Sequence, residues 1–301
     1  MKLIKKNKIL IIIILIFGLF GFFAIFEYVN WWNQYEATVE YKKNECLTTK
    51  DKEYLKYCEM IKTSPELKQQ DTVNLYFDLL ATNSMRFFQI VSPLLVAIAA
   101  VYSFHNKLKS GFVKNILSRK SYKSFMIKNI IRSWRYAIII PIFLLILFGL
   151  SFLISGHFNF YDTLKNWDKT PYVSLKHLQN TGLFIFVYIS NFILHSIFSI
   201  NLFYIVTKKS KNFALTIIGF LISYIGIYIV QEVFIGIYLL GKLLKIKQGT
   251  AYLNFSSIWN YTYVDNLLIS LGVTLLLVAI SIFVLIATYK NKEEVLLKNE
   301  I

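Results

Sequence analysis

Apolar residues in this chain gather into long blocks separated by short charged stretches, rather than alternating with polar ones every second residue. The blocks run over Ile9–Val29, Phe87–Phe104, Tyr136–Ser155, Gly182–Val206, Phe213–Gln231 and Asn266–Tyr289. Each holds about 20 residues, enough at roughly 1.5 Å per residue to cross a hydrocarbon core of about 30 Å. In lipid every backbone N–H and C=O must find its partner within the segment, so such blocks predict helices. The strands of a membrane barrel would alternate over about 10 residues, and these blocks do not. The pattern predicts an all-α, polytopic membrane protein whose residues 1–301 form one membrane domain with six transmembrane helices.

Composition agrees, with 56% hydrophobic residues and a mean hydropathy of +0.51. Lys2, Lys5, Lys6 and Lys8 before the first block give it the look of a secretory signal. The block is longer than a signal's apolar region, and Phe26-Glu27-Tyr28-Val29-Asn30-Trp31-Trp32 lacks a small-residue cleavage site, so it is expected to remain as an anchor.

The net charge of +16 is informative through its placement. The N-terminus, residues 105–135, residues 207–212 and the C-terminal tail hold 19 of the 33 Lys and Arg, against Glu293, Glu294 and Glu300 among the acids. The remainder carries 14 basic and 14 acidic residues. The positive-inside rule assigns the basic side to the cytoplasm, and six crossings return the tail to it. A basic surface for nucleic acid would need no membrane and is set aside.

That orientation puts residues 30–85 outside, with both cysteines, Cys46 and Cys58. A small extracellular loop domain is expected there, with helical periodicity in Tyr54, Leu55, Cys58, Met60 and Ile61. A disulfide between Cys46 and Cys58 is expected in that oxidising space, and it would constrain the loop by about 2–3 kcal/mol; two free thiols in a loose loop are the alternative. Trp31, Trp32, Tyr35, Trp167, Trp259, Tyr261 and Tyr263 fall near the outer boundary, where amphipathic rings anchor in headgroups.

Thr207–Asn212 is short enough to make the fourth and fifth spans a tight cytoplasmic hairpin. Phe213–Leu240 exceeds one untilted crossing, and Gln231-Glu232 falls where about 20 residues have been used, so a break is expected there. Residues 232–263 would then lie at, or dip into, the outer leaflet as part of a gate. A long, tilted fifth helix is the plainer reading.

Candidate chemistry is sparse. Gly236-Ile-Tyr-Leu-Leu-Gly241-Lys242 approximates a phosphate-binding loop, but Leu243 stands where a hydroxyl must meet magnesium and the context is membranous. His105, His157, His177 and His195 have no spacing that suits a metal. No nucleophile and base converge at membrane depth, so no catalytic residue, metal site or cofactor is expected. His195 lies mid-span with Asn191 one turn earlier on the same face. The pair is read either as a hydrogen-bonding contact between helices or as the wall of a conduit. Glu27, Arg86, Glu232 and Asp265 sit near the outer boundary, where water or snorkelling accounts for them, and Glu232 is the third conduit candidate.

The most specific stretch begins at Lys107 in the basic loop 105–135. Leu108, Phe112, Val113, Ile116 and Leu117 share one helical face, while Lys109, Lys114, Asn115 and Ser118 lie elsewhere, which predicts a short amphipathic helix. Such a helix suits anionic lipid or a groove on a cytosolic partner.

In these residues the chain resembles the permease subunits of type-2 ABC exporters, in particular small bacterial ones associated with peptide and bacteriocin export or immunity. The resemblance extends over the whole chain in its six helices, first outer loop, fourth-to-fifth hairpin and outer excursion before the last span. That family's first cytoplasmic loop typically reads Gly-Thr-x-Lys-Asn-x-Leu-Ser, then a Ser-Arg pair and a later lysine, and serves as the coupling helix. Gly111, Lys114, Asn115, Leu117 and Ser118 match, Arg119 follows, and Lys128 corresponds to the later lysine. Phe112 replaces the threonine, Tyr122-Lys123 stands near the Ser-Arg position, and His105-Asn106-Lys107 lies where a glutamate is usual.

The resemblance implies a multi-pass protein of the bacterial plasma membrane, itself non-catalytic, with ATP bound by a separate cytosolic ABC ATP-binding subunit. That subunit would push the coupling helix. A homodimer, or a heterodimer with a related permease, would enclose a path for an amphipathic peptide, lipid-like molecule or drug. Two other classes remain: a non-transporting sensor or immunity protein binding a ligand through its outer loop, and an intramembrane enzyme.

Overall fold

In the computed structural model the described residues are 8–48, 72–109, 121–156, 181–210, 212–245 and 267–290. They are helical, with no strand among them. In chain order they form α1 (Lys8–Thr48), α2 (Thr72–Ala81), α3 (Asn83–Lys109) and α4 (Tyr122–Trp134). A 3-10 turn over Arg135–Ile138 leads into α5 (Ile139–Ser155), followed by α6 (Thr181–Lys209) and α7 (Phe213–Ile229). A π-helix over Val230–Leu243 continues α7, and α8 (Leu267–Thr288) comes last. Six helical stretches are long and apolar enough to cross a membrane: Lys8–Gln34, Asn83–Leu108, Tyr122–Ser155, Ile185–Lys209, Phe213–Leu243 and Leu268–Thr288.

Three boundaries differ from the hydropathy reading, each for a local reason. Helix α1 runs past the expected end at Val29, because no Gly or Pro interrupts residues 30–48 and nothing terminates the winding. The third span begins at Tyr122 rather than Tyr136 and holds 34 residues, about 50 Å if straight, so its first turns exceed the ~30 Å apolar core. The apolar run does begin where expected, and a change of winding marks it. Pro141 has no N–H for the Ala137 carbonyl, and the chain tightens into the 3-10 turn just before it.

The third difference is at Gln231-Glu232. The helix does not break there but widens from α to π winding at Val230 and continues to Leu243, with Leu244 N–H bonding five residues back to the Leu239 carbonyl at 3.0 Å. Lys245, at a positive φ of 54°, turns the chain out of it. Residues 246–266 lie outside the described residues.

The chain divides into two compact units. One comprises Met1–Phe17, Gln89–Leu144 and Val173–Ile301. Its centre is α6, packed along α8 and against α7 and α4. Hydrogen bonds pair Asn191 with Ser270, Asn201 with Ser281 and Lys208 with Thr288, and both partners advance together, so α6 and α8 run parallel. Helix α7 returns antiparallel to α6. Asn212 caps its first turn by accepting from Leu215 N–H at 2.8 Å, which makes the hairpin tight, as expected. A Cβ at Gly219 would stand 3.0 Å from Val206 Cγ1, so glycine permits the approach.

The other unit comprises Gly18–Phe88 and Leu145–Tyr172. Within it α2 buries Val73, Leu75, Phe77, Leu79 and Leu80. Thr72 and Ser155 hydroxyls meet at 2.6 Å, Tyr76 stands edge-on to Phe148, and Phe20 packs on Phe87 and Phe88.

Candidate functional site

Of the expected coupling residues, Gly111, Phe112, Lys114, Asn115, Leu117, Ser118 and Arg119 lie outside the described residues. The two that flank them are placed. Leu108 is buried on the last turn of α3, and Lys128 is exposed on α4. Cys46 falls near the end of α1, and Cys58 with the periodic stretch Tyr54–Ile61 lies outside the described residues.

Helix α4 emerges from the basic loop, and its inner face is tied to the bundle by polar bonds. Ser133 Oγ and Tyr204 Oη meet at 2.7 Å. Ser133 also reaches the carbonyls of Ala100 on α3, at 3.2 Å, and of Asn129, at 3.0 Å. With one hydroxyl proton each, a consistent arrangement has Tyr204 donating to Ser133 and Ser133 donating to one of the carbonyls. Trp134 Nε1 donates to Asn201 Oδ1 at 2.8 Å, and Asn201 Nδ2 passes the connection to Ser281 Oγ at 2.9 Å. Lys107 Nζ donates to Asn129 Oδ1 at 3.3 Å, and Tyr289 Oη donates to the Tyr204 carbonyl at 2.8 Å.

The network therefore joins α3, α4, α6 and α8 at one end of the unit. Phe104 fills the space between, with ring centroids 4.7 Å from Tyr204, 6.1 Å from Tyr289 and 6.4 Å from Phe125. The start of α7 joins them, Phe213 lying 5.1 Å from His105 and 6.0 Å from Phe203. Five helix ends flanked by the basic stretches meet here.

The three conduit candidates are not brought to one wall. Asn191 is buried and its Nδ2 donates to Ser270 Oγ on α8 at 3.3 Å. His195 is buried as well, but its Nε2 lies 2.7 Å from Tyr224 Oη on α7. Four residues advance a helix by about 40° beyond a full turn, enough here to hand each side chain to a different neighbour. Glu232 stands in the first turn of the π-helix that continues α7. The stretch Gly236–Lys242 is wound as π-helix, so its N–H groups are engaged in helix bonds rather than arranged as an open cradle.

Glu27 has a role that hydropathy does not reveal. Its carboxylate accepts from Asn83 N–H at 2.9 Å, Ser84 N–H at 3.4 Å and the Ser84 hydroxyl, capping the first turn of α3. Beside it a concavity of about 430 Å³ is lined by Tyr28, Trp31, Asp78 and Arg86 among others. No local signal links Glu27 to a helix start 56 residues later. The polar stripe Ser270, Thr274 and Ser281 on α8 is by contrast legible, its spacing of four and seven marking one face.

Comparison of the chain with known protein families, curated proteins and solved structures finds no match in any of the three.

Proposed function

We propose that this chain is the membrane-spanning permease subunit of an ATP-driven ABC exporter in a bacterial plasma membrane, with its basic helix ends and both termini in the cytoplasm. One observation carries the reading. Helix α4, the continuation of the loop that would receive the motor's push, is hydrogen-bonded through Ser133 and Trp134 to Tyr204 and Asn201, and through them to α8. A displacement of the loop would move the core helices of the bundle rather than dissipate in a hinge. ATP hydrolysis belongs to a separate cytosolic ATP-binding subunit, and two permease chains, identical or related, enclose the path. The cargo is amphipathic: a peptide, a lipid-like molecule or a drug.

A second reading, a sensor or immunity protein that binds a ligand outside without moving it, draws on the aromatic and charged concavity around Tyr28, Trp31, Asp78 and Arg86. Purification of the tagged chain with the ATP-binding protein encoded beside it separates the two. Under the exporter reading the proteins elute together and Gly111 or Asn115 substitutions release the motor. If no ATP-binding protein accompanies the chain and activity survives Lys114, Asn115 and Ser118 substitution, the exporter reading fails.

A further inference from the structure

The outward face of α4 has a different composition from the inward one. Phe125, Met126 and Ser133 are buried, whereas Lys123, Ser124, Ile127, Lys128, Ile131 and Arg132 are exposed and the face continues to Arg135 in the 3-10 turn. Two isoleucines, 46% and 47% exposed, thus stand among four cations around an open concavity of about 570 Å³. The sequence has no Asp or Glu between Asp78 and Asp162, so these cations have no acidic neighbour along the chain. Among the described residues of this unit Glu232 is the one acid, about 30 Å along α7 and the π-helix from the end where Asn212 starts them.

The face also lies where the third span changes from an amphipathic to a wholly apolar helix at Ile139. At such a level isoleucine can enter acyl chains while Lys and Arg stems carry their charges to phosphates. We propose that this face seats the headgroup of an anionic phospholipid: Lys128, Arg132 and Arg135, within about 60° of one another round the helix and about 10 Å along it, hold the phosphate, and Ile127 and Ile131 pack on the first methylenes. The occupant follows from charge complementarity and from the position of the face on a membrane-spanning helix. It does not depend on the exporter reading, since a non-transporting protein would present the same face to the same lipid.

The test is lipid binding to the full chain purified in mild detergent, read by native mass spectrometry with phosphatidylglycerol and with phosphatidylcholine of identical acyl chains. The wild type should favour phosphatidylglycerol, and the double variant Arg132→Gln/Arg135→Gln should lose roughly tenfold or more of that affinity. Lys242→Gln, on the π-helix, should change nothing. If the arginine variant fails to fold, Lys128→Gln gives the same reading on the third exposed cation of the cluster. Ile127→Ser/Ile131→Ser should weaken both lipids and leave the charge preference intact. Undiminished preference for phosphatidylglycerol in the cation variants would overturn the proposal. So would equal competition by inorganic phosphate, which would mark a free-anion site, or release of a bound cytosolic protein by variants that keep their lipid, which would mark a protein dock.

Discussion

Tyr204 of α6 and Ser133 of α4 share a buried hydrogen bond of 2.7 Å, and through it the basic loop is fastened to the most densely packed helix of the bundle. Tyr204→Phe removes the phenol while Ser133 keeps two carbonyls to which it can donate, so the expected loss is about 1 kcal/mol. A lower thermal aggregation midpoint in detergent should report it. Under the exporter reading ATP hydrolysis by the partner should also respond less to cargo, and a variant with unchanged midpoint and full response would deny the contact its role.

Asn201 is the costlier position. It serves Trp134 Nε1 and Ser281 Oγ at once, and Asn201→Leu leaves a half-buried indole N–H and the buried Ser281 hydroxyl without their partner, at about 1–3 kcal/mol. Trp134→Phe in the same chain should recover part of that loss, because the orphaned donor is removed. Equal destabilisation by the single and double variants would argue against it.

His195 discriminates between contact and conduit. Substitution by leucine removes the partner of Tyr224 Oη, and Tyr224→Phe added to it should restore stability if the bond is an interhelical contact. A conduit residue would instead lower cargo flux at unchanged stability, which paired melting and transport assays distinguish.

Glu27→Ala withdraws the cap from Asn83 and Ser84, and an expected cost of about 1–2 kcal/mol should be concentrated at the start of α3. Hydrogen exchange should quicken at residues 83–86 and stay unchanged at Tyr289. Uniform exchange along α3 would show that the cap does not hold that end.

Orientation can be read directly. In a chain with Cys46→Ser and Cys58→Ser, a cysteine replacing Thr49 should react with an impermeant reagent on intact cells and one replacing Ser118 should not. The reverse result would invert the topology and remove the basis for a cytosolic partner.

Gly219 tests the hairpin. Val206 Cγ1 is a side-chain atom that can yield to an added methyl, so Gly219→Ala should be nearly neutral, while Gly219→Leu forces α6 and α7 apart at a cost of about 1–3 kcal/mol, read as a lower melting midpoint.

The six apolar stretches, the start of the apolar core near Tyr136 and the tight turn before Phe213 are legible in the chain because hydropathy and turn chemistry are local properties. So is the collection of Lys and Arg at alternate ends of the spans, from which sidedness is inferred. What the order of residues could not convey is which polar side chain meets which. Asn191 and His195, one turn apart, diverge to α8 and α7; Glu27 finds the start of α3; and α6 and α8, separated by an entire returning helix, lie parallel. Those pairings depend on rotational phase and on which helices become neighbours, and only the packed bundle settles both.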